Sequence, residues 1–540
     1  MFAQKSGKWG DQGDGFFSNP ILPGDYSDLD AIRVGSDFYA ISSTMQFSPG
    51  MVVLHSKDLV NWEIISHVVD DLSRIGPELN WDQMNGYGKG VWAGSIRYYG
   101  NKYWVYFGTP SEGFFMSSAN NPAGPWEPLQ PIWSATIEGV YDDVTVYKEP
   151  LKNSWSIAGW DDCCSFCDDN GQLYFIATNF ATDPKNNKKY NIHLFKLTPD
   201  GRQLIMESDS IINQSAGSEA NKLYKINGLY YHYYSEVKGG TRVVMMERSK
   251  NIYGPWEIKQ LNHTQKGIDP NQGGLIQLDN GTWWFFTHLG TGSWAGRVAN
   301  LLPVTWVDGW PIIGEVGSDK IGNMVWSAKK PIKSTDLIFP QSSDQFNNRS
   351  LSVQWEWNYQ PRADKWSLTE RPGYMRLYAF RPIKPDDKRR ILFRAGNTLT
   401  QRSMRTDHNE VTTKIDISQL SIGQYAGLCH FAGTYSTFGI RRTNGISTLV
   451  YDNNGNETTG IQITSNNIWL QSTWGFDGLS YYAYSLDGKN FTPFGSSYQL
   501  SWGNYRGDRI GIYSYNVIED KGFIDVDWLR YNYADDKSKN

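Results

Sequence analysis

One motif recurs through the first 330 residues: a turn, a strand rich in tyrosine or tryptophan, then a short segment ending in tryptophan. It runs VGSDFYAISS to SKDLVNW, YGNKYWVYFG to SSANNPAGPW, and INGLYYHYYS to SKNIYGPW, with partial copies NGQLYFIATN and NGTWWFFTH. Each unit has room for a small antiparallel sheet, and helical periodicity is hard to find anywhere in the chain. Five such units of uneven length predict an all-β fold with a five-bladed β-propeller, one four-stranded sheet per unit. A β-sandwich with long insertions is the competing arrangement, and the recurring tryptophan endings argue against it.

The repeat stops in WSAKKPIKSTDLIFPQSSDQFNN, residues 326–348, where Lys, Pro and Ser cluster as in a linker. Beyond it, RILFRA, EVTTKIDI and YYAYSLDG read as strands of period two. A two-sheet β-sandwich of the concanavalin or laminin-G kind fits. The expected division is a propeller at 1–335 and a β-sandwich at 336–540.

Composition narrows the function classes. With 51 Lys and Arg against 56 Asp and Glu and no basic stripe, nucleic acid is not an expected partner. No apolar run reaches the ~18 residues of a membrane span. Phe2-Ala3-Gln4 reads as the stub of a removed signal peptide, which implies a periplasmic or secreted protein. Three of the four cysteines, Cys163, Cys164 and Cys167, crowd beside Asp162. The CxxC lacks the second ligand pair of a zinc site and the βαβ setting of a redox motif. Buried thiols or one local bridge are the expected states.

Three carboxylates stand near strand starts in three different units: Asp28 in DYSDLDAIRV, Asp162 in GWDDCCSFCDD, and Glu219 in GSEANKLYKI. Radial packing would let these loops converge. Paired carboxyls are what glycosidic cleavage requires, one to protonate the leaving oxygen and one to activate water or attack the sugar. A third can raise the donor's pKa.

With these motifs the chain resembles glycoside hydrolase family 43, in its two-domain form. NPILPGDYSDLDAIRVGSDFYAISST, GWDDCCSFCDDNGQLYF and SEANKLYKINGLYYHYYS carry the likeness, supported by HSKDLVNW, WAGSIRYYGNKYWVYFG and GRVANLLPVTWVDGWPIIG. SDQFNNRSLSVQWEWNYQP and WSLTERPGYMRLYA resemble the family's sandwich domain. The resemblance implies Asp28 as general base, Asp162 as the residue that modulates the acid, Glu219 as general acid, and an inverting single displacement. It implies a sugar-facing Arg297, with Trp92 and His288 near the axis, His288 being equally a core histidine. Phe47 is assigned by position as an apolar wall of the pocket.

Departures sit beside the acids. Leu29 and Cys163 stand where the family has proline, and Ala220-Asn221 where it has Gly-Pro. Asn271 stands where relatives place a calcium-holding histidine, so no cofactor is required and calcium is in doubt. The implied substrate is a terminal α-L-arabinofuranosyl or β-D-xylosyl residue of a plant cell-wall oligosaccharide or polysaccharide such as arabinoxylan, arabinan or xyloglucan. Arabinofuranosidase is placed ahead of β-xylosidase. Endo-arabinanase, or a catalytically impaired binding protein on this scaffold, are the alternatives.

Overall fold

A computed structural model describes residues 7–134, 159–180, 190–215, 217–384 and 386–534. The described residues form five four-stranded antiparallel sheets followed by a sandwich of two eight-stranded sheets. Each four-stranded sheet is one propeller blade, and its strands run outward in chain order. The innermost strands are Asp30–Val34, Gly94–Tyr99, Trp160–Cys167, Glu219–Ile226 and Pro270–Gln277. Each packs on the next, and the fifth packs back on the first, so the ring is closed.

The repeated tyrosine-rich segments are the second strands, such as Lys102–Thr109 and Leu229–Lys238. The tryptophan endings lie in the turns before the fourth strands. In the first blade, Ser56 Oγ accepts from the Asp58 and Leu59 amides, and Asp58 Oδ1 accepts from Val60 and Asn61. Trp62 Nε1 then donates to Leu59 O. In this blade the motif is a self-capped turn whose tryptophan is delivered to the space between blades. Trp62 stacks on Phe286 of the last blade at 4.5 Å, helping to seal the closure.

The propeller has no single core. Apolar clusters fill the five wedges between neighbouring blades, leaving the axis to polar groups. Closure is completed by the N-terminal segment: Ile21 N–H donates to Ala299 O, and Phe16–Ser18 pairs with Ser327–Lys329.

The sandwich core lies between its sheets, around Trp355, Leu377, Val411, Phe438, Leu470 and Val526. Strand Asn409–Asp416 alternates buried and half-exposed residues along its whole length, as EVTTKIDI predicts. RILFRA differs from its strand reading. Residues Leu392–Arg394 form a 3-10 turn, and Ile391, Leu392 and Phe393 are buried in succession rather than in alternation. The three apolar neighbours all pack on Phe47, Phe431 and Tyr435.

The two parts are joined covalently and by sheet. Phe47–Ser48, a two-residue strand within the first blade's sequence, pairs with Glu356–Asn358 at the edge of a sandwich sheet. All four cysteines are free thiols, three of them buried. Among the described residues no helix is long and apolar enough to cross a membrane.

Candidate active site

Asp28, Asp162 and Glu219 meet at one end of the propeller axis, in a cavity of about 160 Å³. Local backbone geometry aims the acids. Asp28 and Asp162 adopt left-handed conformations, φ 56° and 48°, as does Ala220 at 69°. The third and fourth innermost strands carry register shifts at these points, between Asp161 and Cys164 and between Glu219 and Lys222. A bulge at the sheet end turns a side chain away from the strand's alternation.

That same bulge explains a residue the sequence reading missed. In a regular strand Asp161 and Asp162 would face opposite sides. Here both line the cavity, and Asp161 Oδ1 accepts the Asp162 amide at 2.8 Å. The adjacent DD pair was the available signal. Arg242, Gln272 and Tyr505 also line the cavity and were not singled out. Arg242 starts the third strand of the fourth blade, and Tyr505 belongs to the sandwich, so nothing local marks either.

Each acid has a distinct setting. Asp28 Oδ1 is paired with Arg297 Nη1 at 2.9 Å, and Oδ2 accepts from Ser43 Oγ. Burial alone would raise the Asp28 pKa, but Arg297, then His288, Arg506 and the Ser43 hydrogen bond bring it below the ordinary carboxylate value. Asp162 accepts at 2.6 Å from both the Ala220 amide and Gln272 Nε2. Glu219 pairs with Arg242 at 2.6 Å. Burial pushes Glu219 up to about 7; Arg242 and Arg297 oppose the rise, while Asp162 and Asp28 add to it. Asp161 is pushed well above the usual carboxylate range by burial and by the Asp162, Glu219 and Asp28 charges.

Of the remaining sequence candidates, Arg297 and Trp92 line the cavity. Trp92 donates from Nε1 to Gly88 O and meets the Tyr505 ring edge-on at 6.2 Å. His288 is fully buried behind the base, with Nε2 3.8 Å from Asp28 Oδ1 and Nδ1 bonded to Leu289 O at 2.9 Å. Burial, with Arg297 next, lowers its pKa to about 4, so it is neutral at pH 7. Phe47 requires correction. It is buried at the sandwich edge with the Arg509 guanidinium 4.1 Å over its ring. The chain turns at Met45, φ 54°, so Met45 faces the cavity and Phe47 has already crossed to the other domain.

The position compared with a calcium-holding histidine is taken by Asn271. Asn271 offers one buried side-chain oxygen without a hydrogen-bond partner. Calcium takes six to eight oxygens, commonly with carboxylates. Among the described residues no group of three or more His, Cys, Asp or Glu is placed to hold a metal ion.

Two carboxyls held apart in proton affinity and facing one cavity are the working parts of a glycoside hydrolase. Comparison with known proteins carries this from a class to a family. Residues 17–311 match the glycosyl hydrolases family 43, and residues 343–532 match the β-xylosidase C-terminal concanavalin A-like domain. The chain belongs to glycosyl hydrolase family 43. A β-xylosidase of Formosa agariphila is 34% identical over 99% of this chain and 93% of its own. A putative β-xylosidase of Xylanibacter ruminicola is 33% identical over 93% and 87%. A non-reducing end α-L-arabinofuranosidase of Bacteroides ovatus is 30% identical over 67% and 64%. Among solved structures, a bifunctional GH43-CE protein of Bacteroides eggerthii superposes with a TM-score of 0.79 at 27% identity, covering 96% of this chain and 63% of that one.

Proposed function

We propose that this protein is an exo-acting, inverting glycosidase that removes a terminal pentose, β-D-xylose ahead of α-L-arabinofuranose, from plant hemicellulose. The split in proton affinity between Asp28 and Glu219 supports an acid paired with an ionised carboxylate, and the inverting course follows from the family the chain belongs to. Asp28 is ionised and takes a proton from the attacking water. Glu219, protonated up to about pH 7, gives its proton to the leaving oxygen. Asp162, whose Oδ2 is bonded to the amide next to Glu219, holds the acid's pKa up by its charge. No step is routed through a metal.

Exo action is supported by the relatives named β-xylosidase and non-reducing end α-L-arabinofuranosidase. The order of sugars, which reverses the expectation from sequence, rests on the two relatives that span nearly the whole chain and are named as β-xylosidase and putative β-xylosidase. The arabinofuranosidase relative, over 67% of the chain, keeps arabinofuranose as the second reading. A substrate of polymer size is met outside the cytoplasm, and we place the protein there.

The test is a side-by-side rate on p-nitrophenyl β-D-xylopyranoside and α-L-arabinofuranoside, with the Asp28→Asn protein as blank. Faster release from the xyloside is expected. Faster release from the arabinofuranoside would reverse the order, and no release above the blank from either would remove the exo-pentosidase reading.

The pH profile is a separate expectation. Because the acid must be protonated, kcat/KM should fall as pH rises through about 7. Arg242 opposes protonation of Glu219, so Arg242→Gln should move this alkaline limb to higher pH. A limb that stays in place would mean that Arg242 does not set the acid's affinity.

A further inference from the structure

The sandwich segment around residues 502–508 enters the mouth of the propeller. Gly503 and Arg506 close its tip by paired backbone hydrogen bonds at 3.0 Å, and Asn504 and Tyr505 between them are left-handed. The approach is close: a Cβ on Gly507 would lie 2.2 Å from the Gly296 amide nitrogen, in the last blade beside Arg297. Tyr505 stays at the cavity wall, and Arg506 is driven inward and fully buried.

Arg506 Nη1 donates to Asp25 Oδ2 at 2.9 Å and to Ser43 O at 3.1 Å. Its Nη2 donates to Ser43 Oγ at 2.9 Å. A hydroxyl that accepts from a guanidinium keeps its own proton for another acceptor. Ser43 gives that proton to Asp28 Oδ2. The other oxygen of Asp28 is held by Arg297. The carboxylate is therefore gripped at both oxygens, once from the last blade and once, through Ser43, from the sandwich.

We propose that Arg506 is a positioning residue for the base: acting through the Ser43 hydroxyl, it fixes the orientation of the Asp28 carboxylate and favours its ionised form. A charged donor polarises the hydroxyl between it and the carboxylate, so the chain of two bonds is stronger than either alone. Orientation matters because small displacements of a catalytic group cost rate steeply. The direction at Asp28 agrees, since Arg506 and Ser43 are both among the groups that lower its pKa. The other charges facing Asp28 are Arg297 and, when protonated, His288 in favour of ionisation and Asp162, Asp161 and Glu219 against it. Asp25 is occupied by Arg506 itself.

The inference rests on Asp28 being the base, and the experiment separates the two. The pH dependence of kcat/KM is measured on the full chain for wild type, Ser43→Ala, Ser43→Thr, Arg506→Lys and Asp28→Asn, with the unfolding midpoint of each. Ser43→Ala keeps the Arg506–Asp25 pair, so it tests the relay even if changes at Arg506 disturb folding. Expected for Ser43→Ala is a fall of about 10- to 100-fold at the optimum. Its acidic limb should move up by about one pH unit, the loss of one hydrogen bond to a charged group. Ser43→Thr should restore the limb, and Arg506→Lys should move it the same way as Ser43→Ala by less. An acidic limb unmoved in Ser43→Ala, with Asp28→Asn inactive, overturns the relay alone. An active Asp28→Asn overturns the base assignment and the relay with it.

Discussion

Glu219→Gln is expected to lower kcat/KM on a xylo-oligosaccharide by about 10²–10⁴-fold, the usual contribution of a general acid. Glutamine keeps the shape and the hydrogen bonds but has no acidic proton for the departing oxygen. The loss should shrink on an aryl glycoside whose leaving group is stable as an anion, because that oxygen needs little protonation. Asp28→Asn should lose a similar factor on both substrates, since water must be activated whatever leaves. The leaving-group dependence therefore assigns the roles. Equal losses on both substrates for Glu219→Gln would remove it as the acid. An Asp28→Asn protein that keeps most of its turnover would remove Asp28 as the base.

The second large effect is on stability and lies between the domains. Glu356 is fully buried in the sandwich, paired with Arg402 at 3.0 Å, Arg509 at 2.7 Å and His67 of the first blade at 3.2 Å. Glu356→Gln leaves two buried guanidiniums without their counter-charge. Breaking such a buried arrangement costs about 3–5 kcal/mol, so the denaturant midpoint should fall accordingly. Burial raises the Glu356 pKa, but Arg402, Arg509 and then His67 outweigh it and hold the carboxyl well below its ordinary value. A depressed acid contributes stability that is full above the unfolded pKa, ~4.3, and is lost as pH falls through the folded value. The wild type should thus lose stability at acid pH more steeply than Glu356→Gln. Parallel acid profiles for the two proteins would show that Glu356 does not carry this dependence.

Much of the fold was legible because its devices are local. An aromatic strand that follows a tight turn is specified within a few tens of residues, and five such units, three of them with the tryptophan ending, close a ring. EVTTKIDI showed its two-residue period because one face of its sheet is buried and the other is wet. RILFRA misled because three consecutive apolar residues look alike in a strand and in a buried turn, and only the surrounding cluster of Phe47, Phe431 and Tyr435 decides between them.

The site divides in the same way. Asp28, Asp162 and Glu219 could be named from sequence because each sits within two residues of the start of an innermost strand, and the radial symmetry brings such points together. Phe47 could not be placed, because a turn at Met45 redirects the chain within two residues. Asp161 was hidden by a bulge that breaks strand alternation. Arg242 reaches Glu219 from two strands away in the same blade, and Ser43, Tyr505 and Arg506 come together across more than 450 residues of chain. The sequence by itself determined the blades, the sandwich strands and the three acids, because period, turn chemistry and repeat position are local properties. The roles of base and acid came with the family resemblance; only the tertiary structure supplies a physical cause for them, because a pKa is set by burial and by charges that arrive from distant strands and from the other domain.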